Sequence, residues 1–272
     1  MRFEQARILI LCKTYPSPSS KYAETSCVAG VSDKGDLIRL YPVPFRMITE
    51  DKKFKKWQWI TAQISKTRND HRNESFRVNV DSILCNGAPI DTKNNWMNRL
   101  KFIEHLPVFR DLYEIENSRS QEGTTLAILK TNCRLKLEIS KAETPDWTIE
   151  EQNKLVQLQN RLDLFDQTDR SNIRLLKKIP YSFYYRFTSS VGEYRIKIVD
   201  WEAGALYWNT RRSHGENWEQ PFRQKLEVAL PSSNLMFLVG NIHRFPSQWL
   251  IISLIYPPKP ADIFLQPNLF DS

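Results

Sequence analysis

Residues 13–46 read KTYPSPSSKYAETSCVAGVSDKGDLIRLYPVPFR, and the pattern inside this stretch sets the class of fold. Thr25–Val31 and Leu37–Tyr41 are short runs suited to strands. Between them Ser32-Asp33-Lys34-Gly35-Asp36 supplies turn chemistry, with Gly35 free to take the positive φ that a tight loop requires. The spacing predicts a hairpin. In its second strand Ile38 and Leu40 point to one side while Leu37, Arg39 and Tyr41 point to the other, so Arg39 and Tyr41 face outward if the first pair is core. Pro16 and Pro18 bend the chain upstream, and Pro42 and Pro44 end the ladder downstream because proline has no N–H to donate. Lys13, Tyr15, Lys21, Tyr22, Arg39, Tyr41 and Arg46 thereby gather cations and aromatic faces on a stiff strand frame. That combination suits a polyanion carrying flat bases.

Upstream of this stretch, the apolar run Ile8–Cys12 predicts a buried first strand. Downstream, DKKFKKWQW at 51–59 is the most basic and aromatic segment; it contains Lys55, Lys56 and Trp57. Trp57, Trp59, Thr61 and Gln63 alternate with Gln58, Ile60, Ala62 and Ile64, so the two tryptophans form either a second core layer or a stacking platform. Phe76, Val78 and Val80 predict another strand. Trp96, Leu100, Ile103 and Leu106 have helical spacing before Pro107, and a second helical piece is expected over 108–115. Residues 126–139 return to strand. Thr148-Ile149-Glu150-Glu151 is a capping box opening a helix that ends near Asp166, and the polar DQTDRSN beginning there marks a domain boundary.

In the second half Tyr181, Phe183, Tyr185 and Phe187 form one aromatic strand face, leaving Tyr184 and Arg186 on the other. Residues 194–199 are the partner strand, and Pro221 starts a helix with Phe222, Leu226 and Ala229 inward. Two apolar strands, 235–241 and 249–255, flank His243-Arg244-Phe245-Pro246. Each half offers short strands with one or two helices and no repeating strand–helix–strand alternation. A mainly β chain with helical insertions follows, folded as two small β-barrels in tandem: 1–166, 167–258 and a proline-led tail, 259–272.

The chain has 272 residues, a formal net charge of +8 and 41% hydrophobic residues, an ordinary globular balance with a positive field that favours anionic partners. Its four cysteines are far apart without a C-x-x-C pair, which predicts neither a zinc site nor a disulfide framework and suits a reducing cytoplasm. No apolar run approaches a membrane span or a signal h-region, and no phosphate-binding glycine loop occurs, so no membrane partner and no cofactor are expected. Cys27 has no histidine close in sequence to generate a thiolate and reads as a structural strand cysteine. Asp200 and Glu202 share a face of an extended strand and with His214 could hold Mg²⁺ in a nucleic-acid-processing enzyme; alternatively they pair with Arg195, Arg211 or Arg212. Nucleic acid, DNA or RNA, is the better-supported partner. Phosphates would meet Lys13, Lys21, Arg39, Arg46, Lys55, Lys56, Arg186, Arg211 and Arg212, while bases would stack on Tyr15, Tyr22, Tyr41, Trp57 and Tyr184. A third reading is a protein adaptor. Gln266-Pro267-Asn268-Leu269-Phe270 resembles the Q-x-x-L-F motif with which bacterial proteins dock on the replication sliding clamp, through Gln266, Leu269 and Phe270.

KTYPSPSSKYAETSCVAG, LIRLYPVPFR, LFD followed by KKIPYSFYYRF, DWEAGALYWN and FLVGNIHRFPSQWLIISLIYPPK occur in this order over nearly the whole chain. On these blocks the sequence resembles a bacterial family of dual OB-domain proteins. The resemblance implies two OB-like barrels and a nucleic-acid recognition role in genome defence against phage or other mobile elements. The chain is accordingly read as a non-catalytic subunit of a bacterial defence or genome-maintenance system. It implies no catalytic residues.

Overall fold

Strand β1 (Glu4–Lys13) carries the apolar run Ile8–Cys12 and is covered on both faces, which is why that run does not alternate. In the computed structural model, which describes residues 2–19, 23–67, 70–153 and 176–259, Ile8 and Ile10 point into one core while Leu9 and Leu11 point into another. A short strand β2 (Ser17–Ser19) pairs with β3 (Ala23–Ser32), and β3 pairs with β1. The expected hairpin joins β3 to β4 (Leu37–Val43), with Val31 opposite Leu37 and Gly35 at φ 92°. β4 runs on through Pro42, one proline further than expected.

Strand β5 (Trp59–Lys66) pairs with β1, and β6 (Ser75–Val78) lies parallel to β4 and antiparallel to β5. The path β1-β3-β4-β6-β5 therefore closes on β1, while β7 (Leu84–Asn86) adds to β5. With these barrel strands counted one to five, the order is 1-2-3-5-4-1 with the third and fifth parallel, the Greek-key order of an OB barrel.

The segment 94–106 departs from the expected helix. Asn94, Asn95 and Trp96 take positive φ (51°, 53° and 68°), and α1 covers only Met97–Leu100. The segment expected to be helical from Val108 begins instead as β8 (Val108–Phe109). Helix α2 (Leu112–Glu122) then starts on Asp111, whose side chain accepts from the Glu114 N–H at 3.0 Å. Residues 126–139 form two strands, β9 (Leu126–Leu129) and β10 (Lys136–Lys141). At 148–151 the predicted capping box is present: the Thr148 N–H donates to Glu151 and the Glu151 N–H donates to the Thr148 hydroxyl.

β11 (Tyr181–Ser189) and β12 (Gly192–Ile198) pair as expected, with Phe183, Tyr185 and Phe187 buried. Helix α3 (Trp201–His214), absent from the sequence expectations, follows, then α4 (Glu219–Arg223) running into a π-helical turn, Gln224–Ala229. That wider turn buries Leu230 and leaves Ala229 exposed, contrary to the α-helical spacing. β13 (Met236–Ile242) and β14 (Phe245–Ile255) complete a sheet ordered β10-β11-β12-β14-β13-β9-β8. From β10 the succession is again 1-2-3-5-4 with the third and fifth strands parallel, and α3 sits between the third and fourth. The chain is a tandem of OB-like units.

β8, β9 and β10 belong to the second sheet, so sheet membership changes between Asn86 and Val108 rather than at 166/167. The polar segment beginning at 166 that the sequence reading took as the boundary lies outside the described residues; in chain order it falls between β10 and β11 of the second sheet. A shared core joins the sheets: Leu9, Leu11, Val31 and Trp57 pack with Ile128, Leu238 and Ile252.

Candidate nucleic-acid interface

Three of the nine cations that the sequence marks for phosphate, Lys13, Lys56 and Arg39, hold the two units together. The Lys13 ammonium lies 3.5 Å from the centre of the Phe45 ring and 5.3 Å from that of Trp201 in α3, and donates to the Phe54 carbonyl at 3.2 Å. Burial lowers its pKa to about 8. Lys56 donates to Glu202 at 3.0 Å and to the Leu254 carbonyl at 2.8 Å. Burial alone would lower its pKa, but Asp200 and Glu202 outweigh it and the net shift is upward. Tyr15 receives the indole N–H of Trp208 at 2.9 Å and donates to the Lys177 carbonyl. Its ring lies on Gly204, where a Cβ would overlap it. Trp57 is 2% exposed at φ 64° and packs edge-on against Trp96, so it is core and not a stacking platform.

The remaining marked residues are scattered. Arg46 binds Glu24 at 2.6 Å, while Arg186 binds Glu138 at 3.4 Å and Glu193 at 3.0 Å. The Arg195 guanidinium covers Tyr184, 3.4 Å from its ring centre. Arg211 pairs with Glu216, and Lys55 and Arg212 are exposed. Lys21, Tyr22, Gln266, Leu269 and Phe270 lie outside the described residues.

The proposed metal trio does not assemble. Asp200 is buried as the N-cap of α3, accepting from Glu202 N at 2.7 Å and from Leu254 N at 2.8 Å. His214 is the last residue of that 14-residue helix, about 20 Å away at an α-helical rise. Among the described residues no group of three or more His, Cys, Asp or Glu side chains could hold a metal ion. Nor do Asp200 and Glu202 pair with the arginines considered for them: Lys56 takes Glu202, and backbone N–H groups take Asp200.

Three marked residues do come together. Tyr15, Arg39 and Tyr41 line a cleft of about 640 Å³ between the first barrel and β13–β14, with Cys27, Arg72, Asn241, His243 and Arg244. The outward placement expected for Arg39 is wrong, because the second sheet covers the face of β4 that Arg39 shares with Tyr41. Arg39 is 2% exposed, and its Nη2 donates to the Thr125 carbonyl at 2.7 Å, with Glu74 at 3.7 Å. Its Nε and Nη1 have no partner among the described residues. An unpaired buried donor costs about 1–3 kcal/mol. Burial lowers the Arg39 pKa; it also raises that of Cys27, which Arg39 and Arg72 partly offset. Cys27 is thus a poor nucleophile, in keeping with a structural cysteine.

Arg72 is held by Asp70, with Nε to Oδ1 at 2.8 Å and Nη2 to Oδ2 at 2.7 Å, and donates to the Asn241 carbonyl at 3.1 Å. Burial raises the Asp70 carboxyl, but the Arg72 hydrogen bonds prevail and hold it at about 2. At the rim Arg244 is exposed and makes no ion pair with a described residue; beside it Phe245 is 57% exposed, and Tyr41 is 47% exposed. Little in the sequence points to Arg72, Asn241 or Arg244. The only signal was a cation in a polar loop and another at a hairpin tip.

The molecule is a double OB-like protein whose units share a core and enclose a basic, aromatic-rimmed cleft. The chain belongs to the family described as Domain of unknown function (DUF8757), which matches residues 110–272; residues 4–105 match Domain of unknown function (DUF8758). These limits fall on either side of the change of sheet. No curated protein matches the chain. Similar solved structures include a murine DNA-binding protein bound with double-stranded DNA, at 11% identity and a TM-score of 0.31, covering 94% of this chain and 98% of that one. Another is a replication protein A heterotrimer bound to single-stranded DNA, at 9% identity and a TM-score of 0.26, covering 95% and 66%. The OB assignment rests on the strand order and the parallel pairs. Among the described residues no helix is long and apolar enough to cross a membrane.

Proposed function

We propose that this protein binds nucleic acid in the cleft between its two OB-like units, with single strands preferred. The observation that carries the proposal is the Arg39 guanidinium, buried in the wall of a cleft with two nitrogens that have no partner among the described residues, while Arg244 and the half-exposed Tyr41 also line that cleft. Arginine at the rim suits phosphate, and exposed aromatic faces suit unpaired bases. The net charge of +8 draws a polyanion toward the protein. In bacterial genome defence, the setting the family resemblance implies, or in genome maintenance, the protein would serve as a recognition subunit.

Anisotropy titrations with labelled single-stranded and duplex DNA and RNA, at two salt concentrations and with or without Mg²⁺, test the proposal. Salt-sensitive binding of single strands without cleavage is expected. Absence of binding below tens of micromolar defeats the proposal, and Mg²⁺-dependent product would replace it with the enzyme reading.

A further inference from the structure

Arg39 and Asn241 make the inner wall of the cleft more specific than a general polyanion surface. The Arg39 side chain is 3% exposed; one terminal nitrogen is committed to the Thr125 carbonyl, while Nε and Nη1 are unpartnered. Glu74, its nearest carboxylate, also accepts the Thr125 hydroxyl and is divided between the two. Asn241 is 7% exposed; its Nδ2 donates to the Pro246 carbonyl at 3.1 Å, but its Oδ1 has no partner among the described residues. Gly240 keeps this arrangement possible, since a Cβ there would stand 3.0 Å from both Arg39 Nη2 and the Leu126 side chain. The same cleft is walled by Val199, Leu250 and Ile252.

We infer that the inner wall of the cleft is a pocket for a nucleoside phosphate monoester, the chemistry shared by a free mononucleotide and a phosphorylated strand end. This rests on the cleft being the ligand site of the preceding section. Anionic oxygens would take the free Arg39 N–H groups, a hydroxyl or amino group would donate to Asn241 Oδ1, and the apolar walls would receive the flat base. An internal phosphodiester carries a sugar on each side, which holds its oxygens further from a recessed guanidinium than those of a terminal monoester, whose free end would enter first as the wall side chains adjust; the monoester also carries nearly two charges at neutral pH. The exposed Tyr41 and Arg244 then meet the rest of a strand at the rim.

The test uses the full chain. Calorimetry with inorganic phosphate, a nucleoside and its 5′-monophosphate is paired with anisotropy of oligonucleotides labelled at one end and carrying phosphate or hydroxyl at the other. The monophosphate should bind about tenfold or more tighter than the nucleoside, and a phosphorylated end should gain about tenfold over a hydroxyl end. Arg39→Lys should abolish both preferences. Because Arg39 also joins the two units, the comparison of phosphorylated with hydroxyl ends on the unaltered chain reads the preference without any substitution; Asn241→Asp sets a carboxylate against the phosphate and gives up the Nδ2 bond to Pro246, so it should give the same loss together with a lowered melting temperature. Oligonucleotide binding that ignores the chemistry of the end, with no competition by monophosphate, overturns the pocket and leaves the nucleic-acid proposal standing. Monophosphate binding without oligonucleotide binding does the reverse.

Discussion

In the first unit β1 and β5 pair from Glu4–Ile64 to Leu9–Trp59 and the barrel closes. In the second, the corresponding strands β10 and β13 are not paired, and β13 takes β9 instead. Where closure would fall, a groove of about 1080 Å³ opens, lined among others by Arg134, Leu135, Phe237 and Lys259. An open sheet must protect its edges. Here β9 covers β13, while side chains cap β10: Arg223 donates to the Leu137 carbonyl at 2.8 Å and Glu227 accepts from the Leu137 N–H at 3.3 Å. The same strand order is self-sufficient in one unit and completed from outside in the other. The second unit leans on the first through the shared core and through α3, whose Trp201, Glu202, Gly204 and Trp208 meet Lys13, Lys56 and Tyr15.

That dependence can be broken in graded steps. The largest effect belongs to Leu238→Ala, at a fully buried position of the shared core. It should cost about 2–5 kcal/mol, and calorimetry should show one transition moving down as a whole. Two transitions in the wild type would show that the units fold independently. Gly204→Val should cost about 1–3 kcal/mol by forcing Tyr15 off α3, read as a lowered midpoint in chemical denaturation.

Lys13 gives a test in pH. Burial lowers its pKa to about 8 in the folded protein, against about 10.4 for a free lysine, so between these values the unfolded chain binds more protons and stability rises with pH. Below about 8 both states are charged and the burial cost is present in full. Lys13→Met should therefore be more stable than wild type at pH 7, by about 3 kcal/mol at most, and the difference should shrink as pH rises from 8 to 10.4. Chemical denaturation across this range checks the sign. The smallest effect is Glu227→Ala, about 0.5–1.5 kcal/mol, because it uncaps one N–H of an edge strand. Concentration-dependent association in sedimentation would accompany it.

Local chemistry was legible in the sequence: the β3–β4 hairpin with Gly35, the aromatic face of β11 and the capping box at Thr148 all follow from neighbouring residues. The two-barrel plan was also legible, through many short strands and the resemblance. What could not be read was which strand face the other unit covers. Alternation correctly gave Arg39 and Tyr41 one side of β4, but Thr125, 86 residues away, covers Arg39 and leaves Tyr41 at the rim. Helix α3 escaped because its buried positions, Ala203, Gly204, Tyr207 and Thr210, include small and polar residues chosen by close docking rather than by an apolar stripe. The cation–aromatic pattern was real, yet much of it joins the two units instead of facing a ligand. Arg72 and Arg244 reach the cleft from loops whose composition announces only turns.

The claim that the interunit cleft, and not the sequence-marked outer cations, binds nucleic acid is tested most directly by one anisotropy series on a labelled single-stranded oligonucleotide. Wild type is compared with Tyr41→Ala plus Arg244→Ala at the rim, and with Arg186→Ala plus Arg211→Ala on the outer surface. Loss of one stacking face and one phosphate contact should weaken binding about tenfold or more and flatten the salt dependence, while the outer pair should change affinity by less than about threefold. A large loss from the outer pair with the rim variant unaffected would contradict the account.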